Sequence, residues 1–327
     1  MPDGARCITK IVGAIVLIAC SFTRAAHAQS AFNINLDTVR RSVVFLHTVD
    51  QSGALQEAGT GFLIAVPTKS DPNKLYLILA TARHIADPRW AGCPASAGTL
   101  RAVFNKKAFD PQKDRTGTVE VNLAPNWTYP EDESADVAVT ILNVSLFTDM
   151  DTDNAPIPIS DLPTTEEEGL VNSGAQIVSA GLLLGASGIN RNYPIFKFGY
   201  VSSKPDEKIN VPCCVGCLIK SNTEWMIAAS LVPGNSGSPI FFVPVGFPGF
   251  SISNQRAFLL GVQSISFVGS DVAGMAPARF VRDAIQRLSL PDADLRIIGI
   301  ENPRAQPIPS SARPTNPAVP GILPMLK

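Results

Sequence analysis

The amino-acid sequence predicts an all-β fold, and two features of its apolar pattern support this prediction. Short apolar runs recur along most of the chain and are separated by turn residues, which is typical of β-sandwiches and β-barrels. Only residues 278–288 show a convincing helical pattern, with apolar side chains on one face and arginines elsewhere. The chain therefore predicts many strands and one late helix.

The expected strands form two groups. The first group comprises residues 43–49, 61–66, 75–80, 119–123 and 137–142. The second group comprises residues 176–184, 196–201, 225–231, 240–243 and 258–265. A polar stretch over about 149–175 separates the groups, and its glutamates at 166–168 are expected to lie in a solvated loop. We expect this stretch to connect two folded units.

Length and composition are those of a globular protein with a sizeable core. The chain has 327 residues, of which 45% are hydrophobic and 17% are charged. Its formal net charge is -1, which gives no reason to expect binding to nucleic acid or to an anionic membrane. The sequence therefore predicts no nucleic-acid partner.

Residues 1–28 have the pattern of a bacterial-type secretory signal. Positively charged residues precede an apolar region over 11–22, and a small-residue cleavage site ends at Ala28. The apolar region is too short to span a membrane comfortably. Residues 17–20 also resemble a lipoprotein signal, which would place a lipid anchor on Cys20. We predict an exported protein, periplasmic or secreted, with the lipoprotein form as the alternative.

Removal of this signal leaves four cysteines, Cys93, Cys213, Cys214 and Cys217. Exported cysteines are usually oxidised, so we expect one or two disulfides. The pairing stays open, although a bond between the adjacent positions 213 and 214 is disfavoured by geometry. A four-cysteine zinc site and a redox pair at 214 and 217 are weaker alternatives, and no metal is predicted.

The most informative motif is residues 234–239, Gly-Asn-Ser-Gly-Ser-Pro. Its glycines allow a sharp turn that presents the hydroxyl of Ser236 to a substrate. The same turn directs the amides of Gly234 and Ser236 toward the place where a negative oxygen would form. A serine of this kind needs a base to accept its proton and an acid to orient that base.

Three histidines are present to serve as the base. His27 lies in the export signal, and His47 lies in the apolar run 43–49, where a packed strand histidine is expected. His84 follows the strand over 75–80 where the chain turns, a place from which a rigid scaffold can present a base. We predict that His84 is the base.

The orienting acid is predicted to be Asp136. It opens the apolar strand over 137–142, where a carboxylate loses hydration unless a partner such as an imidazole N–H is supplied. Asp87 lies closer to His84 in sequence, but it precedes Pro88 and is expected to initiate a turn. Other nearby carboxylates lie in polar loops.

Taken together, these motifs resemble the signatures of the trypsin-like serine peptidases, the chymotrypsin-fold family. The matching stretches are 81–84, 136–139 and 234–239, in the family's order of His, Asp and Ser. Residues 59–64, Gly-Thr-Gly-Phe-Leu-Ile, are similar to the family's glycine-punctuated strand before the histidine. The resemblance covers about residues 35–290 and is closest to the bacterial exported branch, although Arg83 replaces the small residue usual before the histidine.

The resemblance implies two six-stranded antiparallel β-barrels and a closing C-terminal helix. The first barrel, in residues 29–150, would carry the histidine and the aspartate, and the second, in 151–290, would carry the serine. Residues 291–327 are rich in proline and are expected to form a disordered tail.

The resemblance also implies the chemistry. Ser236 would be the nucleophile, His84 the general acid and base, and Asp136 the orienting carboxylate, while the amides of Gly234 and Ser236 would form the oxyanion hole. The expected activity is that of a serine endopeptidase, which hydrolyses protein or peptide substrates through an acyl-enzyme. No metal or organic cofactor is expected.

The substrate pocket is predicted to favour small side chains. By resemblance, Ser230 lies at its base, where no aspartate is present to pair with a substrate lysine or arginine. The stretch around Ser264 resembles the strand that pairs with the substrate backbone. Ser266 replaces a pocket-wall glycine, and Gly274 keeps the opposite wall open. We expect a preference for Ala, Val, Ser or Thr before the scissile bond.

The same residues bear on three other function classes. An α/β-hydrolase esterase would need a glycine at position 238 and a histidine after the serine, and the sequence has neither. A binding protein on the same scaffold that no longer cleaves is the main alternative, because residue identity alone does not establish a competent geometry. A structural module has no support beyond the proline-rich tail.

Overall fold

The structure of the chain, a computed structural model, describes residues 35–50, 52–92, 99–114, 116–143, 151–183, 188–212, 219–231, 234–244, 256–267, 269–296 and 322–324. The predicted export signal with Cys20 lies outside the described residues. So do the four cysteines of the predicted disulfides.

Sixteen strands are the main secondary structure of the described chain. The first seven are β1 (Val43–Val49), β2 (Leu55–Pro67), β3 (Lys74–Thr81), β4 (Leu100–Asn105), β5 (Thr118–Asn122), β6 (Ala138–Ile141) and β7 (Ile157–Pro158). The others are β8 (Gln176–Gly181), β9 (Ile195–Ser203), β10 (Ile209–Pro212), β11 (Ile219–Asn222), β12 (Trp225–Ala228), β13 (Pro239–Phe242), β14 (Phe258–Ser266), β15 (Val272–Pro277) and β16 (Ile322–Pro324). Every strand predicted from an apolar run is present, β1 with the predicted bounds and the others with shifted ends.

The strands form two main sheets. An eight-stranded sheet runs in the order β16-β3-β2-β1-β4-β5, with β6 paired to β3 and β7 paired to β2. The second sheet is a closed barrel in the order β12-β15-β14-β13-β8-β9, while β10 and β11 pair separately. The all-β prediction is confirmed, with one closed six-stranded barrel and one eight-stranded sheet in the described residues.

A shared hydrophobic core holds the two sheets together. Every residue from Leu75 to Thr81 in β3 is buried, which explains its continuous apolar sequence, since a strand covered on both faces needs apolar side chains on both. The largest apolar cluster extends from this strand to Phe241 and Leu259 of the barrel. The junction between the sheets is therefore packed rather than open.

Four α-helices lie in the described chain, α1 (Leu36–Ser42), α2 (Arg83–Ala86), α3 (Thr165–Leu170) and α4 (Ala278–Arg287). Helix α4 is the predicted C-terminal helix. It packs against the same core through its buried apolar face, which consists of Ala278, Phe280, Val281, Ala284 and Ile285.

The glutamate run 166–168 lies in α3, so the prediction of a solvated loop is wrong. The hydroxyl of Thr164 and the side chain of Glu167 cap the start of α3 reciprocally, which stabilises a helix in this short stretch. Glu168 is 5% exposed and accepts hydrogen bonds from the backbone and guanidinium of Arg279. Because Arg279 is 111 residues away in the sequence, the local pattern around Glu168 does not indicate this contact.

Two stretches of the predicted C-terminal tail belong to the fold. Ala293 and Leu295 are buried, and a backbone bridge joins Ala293 to Thr68. Strand β16 pairs with residues 74–76 of β3, while β6 pairs with residues 78–81 of the same strand. The expectation of disorder therefore does not apply to these two stretches. Buried apolar side chains hold the stretch with Ala293 and Leu295, and strand pairing holds β16. Residues 297–321 lie outside the described chain.

The described part of the chain has neither a membrane-spanning helix nor a cluster of metal-ligating side chains. No helix there is long and apolar enough to cross a membrane. The same residues contain no group of three or more His, Cys, Asp or Glu side chains placed to hold a metal ion.

Arg279→Ala is expected to lower the free energy of unfolding by about 2–3 kcal/mol, because it leaves the buried Glu168 carboxylate without its main partner. The Arg279 side chain is itself 37% exposed, which keeps the loss below that of a fully buried pair. Urea unfolding measures the effect. Arg40→Ala removes an exposed pair with Asp37 and should change stability by less than about 0.5 kcal/mol. Equal losses in the two variants would contradict the importance of the buried pair.

Candidate active site

Strand pairing brings His84 and Asp136 to the same end of the first sheet. His84 lies in α2, just after β3 ends at Thr81, and Asp136 lies just before β6 begins at Ala138. In the antiparallel register of these strands, Thr81 is paired with Ala138. The two predicted residues therefore project from neighbouring strand ends.

The carboxylate of Asp136 makes two hydrogen bonds to His84. Its Oδ1 accepts the backbone N–H of His84 at 2.9 Å, and its Oδ2 lies 2.7 Å from the imidazole Nδ1. Asp136 is 3% exposed, whereas the imidazole is 27% exposed. The buried carboxylate thus orients both the turn and the ring, and it leaves Nε2 as the nitrogen that can act as a base.

The pKa of His84 is raised above its ordinary value by the balance of opposing effects. Burial acts to lower this pKa because it disfavours the charged ring, but the negative charge of Asp136 and its hydrogen bond outweigh burial. A carboxylate in this position stabilises the imidazolium that forms when a base accepts a proton.

The loop that carries Ser236 precedes β13 and turns at two glycines. Gly234 and Gly237 have φ values of 94° and 86°, a region in which other residues are strained. A Cβ at Gly237 would collide with the carbonyl oxygen of Thr60 in β2. Glycine at position 237 therefore allows the loop to lie directly against the first sheet.

Thr60 fastens this serine loop to both sheets. Its N–H donates to the carbonyl of Ser236 at 2.8 Å, and its hydroxyl donates to the carbonyl of Gly234 at 2.8 Å. The same hydroxyl accepts the N–H of Leu182, which follows β8, at 2.9 Å. Thr60 is completely buried. One side chain thus joins β2, the serine loop and the barrel.

The serine loop also approaches the helix that carries the histidine. A Cβ at Gly59 would collide with Ile85, the neighbour of His84, and would lie 2.9 Å from the carbonyl oxygen of Ser236. The absence of a side chain at Gly59 therefore lets α2 and the serine loop meet over β2.

The Ser236 hydroxyl does not bond to His84 in the described structure. It donates to the backbone carbonyl of Ser264 at 3.2 Å. Ser264 lies at a bulge in β14, where the register with β15 shifts between Gln263 and Ile265. The structure thus joins the predicted acid and base, while a serine–histidine contact requires rotation of the serine side chain.

Hydrogen bonds orient the peptide group before the serine. The carbonyl of Asn235 accepts the N–H of Ser238 at 2.8 Å. Because C=O and N–H of a trans peptide point in opposite directions, the amide of Ser236 points away from this turn. The amide of Gly234, the other predicted oxyanion donor, follows residue 233, which lies outside the described residues.

Lys197 holds the serine loop from the barrel side, a contact that no sequence motif indicated. Its ammonium donates to the carbonyl of Ser230 at 2.6 Å and to Oδ1 of Asn235 at 3.0 Å. Asn235 is buried and donates in turn to the carbonyl of Leu182 at 2.6 Å. Partial burial lowers the pKa of Lys197. Lys197 therefore ties together the two ends of the segment that leads to Ser236.

Two of the predicted pocket residues pack around the buried side chain of Glu224. The hydroxyl of Ser264 donates to Oε2 of Glu224 at 2.5 Å. A Cβ at Gly274 would lie 3.2 Å from both of these atoms. The hydroxyl of Ser264 therefore points into the interior, while its carbonyl accepts from Ser236.

The other two predicted pocket residues are more accessible. Ser230 is exposed. Ser266 is half-buried at the end of β14, where its hydroxyl accepts a hydrogen bond from the side-chain Nε2 of Gln263 at 3.2 Å. Among the described residues, no hydrogen bond joins Ser230 to the other three. The pocket that these four residues would form stays a prediction.

Among known proteins, the chain is similar to solved structures of proteases. No family model and no curated protein sequence matches the chain. The active form of the Rv3671c protease from M. tuberculosis is 17% identical, with a TM-score of 0.43 and coverage of 78% of this chain and 83% of that chain. The NS6 protease from murine norovirus 1 is 12% identical, with a TM-score of 0.34 and coverage of 67% and 85%. Sequence identities and TM-scores this low say nothing about the activity of this chain.

Thr60→Val is expected to lower the free energy of unfolding by about 2–4 kcal/mol, because the amide of Leu182 and the carbonyl of Gly234 lose a buried partner. Thr60→Ser keeps the hydroxyl and should lose only about 1 kcal/mol for the missing methyl group. Chemical unfolding of both variants measures the difference. Equal stabilities would show that the hydroxyl does not hold the loop and the barrel together.

Asp136→Asn is expected to lower the pKa of His84, because burial of the ring remains while the attraction of the carboxylate is lost. An NMR titration of the imidazole signals measures this pKa. His47 in β1, whose pKa is lowered by burial, serves as the internal control and should titrate as in the wild type. An unchanged pKa for His84 would mean that the pair is not coupled.

Proposed function

We propose that the protein is a serine endopeptidase in which Ser236, His84 and Asp136 act as a catalytic triad. The observation that carries this proposal is the doubly hydrogen-bonded pair of Asp136 and His84 at the end of β3. Thr60 binds the serine loop to the adjacent strand. A base oriented by a buried acid, beside a tightly turned serine, is the arrangement that nucleophilic catalysis requires.

Rotation of the Ser236 side chain would complete the triad. Its present hydrogen bond to the carbonyl of Ser264, at 3.2 Å, is long for a hydroxyl donor and is readily exchanged. Catalytic hydrogen bonds are often loose before substrate binds. A substrate amide that donates to the same carbonyl would compete with the serine and favour its rotation toward His84.

In the proposed reaction, Nε2 of His84 takes the proton of Ser236 as Oγ attacks the scissile carbonyl carbon. The electron pair of the C=O bond moves to oxygen, where the amides of Gly234 and Ser236 would stabilise it, each by about 10²–10³ in rate. The imidazolium, stabilised by Asp136, then protonates the leaving nitrogen as the C–N bond breaks. Water then attacks the acyl carbon while Nε2 takes its proton, and the imidazolium returns a proton to Oγ of Ser236 as the ester C–O bond breaks. The reaction needs no metal or organic cofactor.

We infer that the substrate is a protein or peptide bound in extended form beside the end of β14. Strand β13 pairs with β14 as far as Val262, and the backbone of Gln263 bonds to Gly237 and Ser238 of the serine loop. The edge to which a peptide backbone can add is therefore that of residues 264–266. The uncharged Ser230 and the packing of Ile265 against Gly274 support a preference for small side chains. A peptide-library cleavage profile tests this preference.

We also propose that the enzyme acts after export, in the periplasm or outside the cell. This part rests on the signal-like pattern of residues 1–28. A lipoprotein anchored at Cys20 is the variant form, and the mass of the mature amino terminus distinguishes the two. Oxidation of the four remaining cysteines to one or two disulfides follows from the same location.

A peptide-binding protein that no longer cleaves is the second candidate. One observation favours it, since the hydroxyl of Ser236 is bonded to the carbonyl of Ser264 and not to His84. Such a protein would bind extended peptides along β14 without forming an acyl-enzyme.

Ser236→Ala is expected to leave folding intact and to reduce turnover by roughly 10⁶, because the nucleophile is lost. Hydrolysis of denatured casein by equal amounts of wild type and variant measures the effect. Ser202→Ala, at an exposed position of β9, is the control and should keep the wild-type rate. Undiminished cleavage by Ser236→Ala would refute the assignment, and a wild type that binds peptides without cleaving them would favour the second candidate.

A further inference from the structure

Glu224 is a buried carboxyl that the proposed reaction does not use. It directly precedes β12 and is 1% exposed. Its Oε2 accepts the hydroxyl of Ser264 at 2.5 Å, whereas its Oε1 has no hydrogen-bond partner among the described residues. An unpaired carboxyl oxygen in a protein interior is rare and calls for a physical explanation.

The neighbours of Glu224 come from the barrel and from strand β11. Ser264 belongs to β14, and Gly274 belongs to β15, where a Cβ would lie 3.2 Å from Oε2. Asn222, at the end of β11, is a further polar neighbour, and the charge of Asp136 also acts on the carboxyl. Among the described groups that act on Glu224, none is a cation.

These surroundings favour the protonated acid. Burial raises the pKa of Glu224, and the negative charge of Asp136 raises it further, while the polar side chains of Ser264 and Asn222 act in the opposite direction. The resulting pKa is about 8. At neutral pH the carboxyl is therefore mostly uncharged, which removes the need for a buried countercharge.

We propose that uncharged Glu224 is a positioning residue of the active site, acting on Ser236 through Ser264 and on His84 through Asp136. This inference rests on the proposed function. On one side, the carboxyl anchors the hydroxyl of Ser264, whose carbonyl is the acceptor for Ser236. On the other side, the hydroxyl of Thr223, which precedes Glu224, lies 2.9 Å from the hydroxyl of Ser134, two residues before Asp136. An uncharged Glu224 adds no second negative charge to this region.

Loss of the proton from Glu224 would place two carboxylates in one buried region. Their repulsion favours displacement of one of them from its hydrogen bonds. Asp136 holds both the backbone and the ring of His84, so its displacement would disorder the base. We therefore expect activity to fall on the alkaline side as Glu224 ionises near pH 8.

Glu224→Gln separates charge from shape, because glutamine keeps the contact with Ser264 but does not ionise. The rate of casein hydrolysis at saturating substrate is measured against pH. The wild type should lose activity as the pH rises through about 8, and the variant should keep its activity to higher pH. Glu166→Gln, at an exposed position of α3, is the matched control and should follow the wild type.

An alkaline limit that is the same in wild type and Glu224→Gln would overturn the proposal. It would instead point to another group such as Lys197, whose pKa is also lowered by burial. Ser264→Ala gives a second test, of the direction in which the alkaline limit of activity moves. It removes a hydrogen bond that lowers the pKa of Glu224, so it should move the alkaline limit upward. It also removes the anchor of residue 264 beside Ser236, so it should reduce kcat more than it changes KM. A downward shift would contradict the proposal.

The stability of the protein tests the protonation of Glu224 without using activity. Its folded pKa lies above the value of 4.5 expected for the unfolded chain, so between these values the folded state keeps a proton that the unfolded state has released. Stability contributed by this group is therefore lost as the pH rises. Denaturant unfolding should show that the wild type loses stability relative to Glu224→Gln between about pH 5 and pH 8. Parallel curves would overturn the proposal.

The two experiments separate failure of this inference from failure of the proposed function. If the wild type cleaves nothing at any pH, the proposed function fails and the positioning role fails with it, while unfolding still reports the proton on Glu224. If the wild type cleaves and Glu224→Gln has the same pH profile, the positioning role alone fails.

Discussion

The side chain of Thr60 is the point at which the two sheets and the serine loop are joined. Its hydroxyl donates to Gly234 and accepts from Leu182, and its backbone N–H donates to Ser236. A methyl group in place of this buried hydroxyl would leave the carbonyl of Gly234 and the amide of Leu182 unpaired. The base is carried by the first sheet and the candidate nucleophile by the loop before β13, so their alignment depends on this docking.

Charge in the interior around the site is restricted to groups that have defined partners. Asp136 is matched by two hydrogen bonds to His84, while the ammonium of Lys197 is matched by the carbonyl oxygen of Ser230 and the side-chain oxygen of Asn235. Glu224 has no countercharge among its described neighbours and is therefore held neutral. In a region of low dielectric, the charge on each of these three groups affects the others. The proposed catalytic behaviour thus depends on protonation states as much as on distances.

The strand pattern and the acid–base pair could be predicted from the sequence, because both depend on local composition. Strand β3 is a continuous apolar run, and His84 and Asp136 mark its end and the start of its neighbour. Strand β15 was missed because its sequence, Val-Ala-Gly-Met-Ala-Pro, contains glycine and proline. The contacts of Thr60, Lys197 and Glu224 could not be predicted, since their partners are far away in sequence; Thr60 and Leu182, for example, are 122 residues apart. The rotamer of Ser236 likewise depends on an acceptor in another strand.

The central claim is that His84 activates Ser236 as a nucleophile, and reaction with a fluorophosphonate probe tests it most directly. Mass spectrometry of the digested protein locates and counts the adduct. The account predicts one probe per molecule, attached to Ser236, with labelling that accelerates as His84 loses its proton and that is nearly abolished in His84→Ala. Failure of the wild type to react, or labelling of Ser236 that is equally fast without His84, would contradict it.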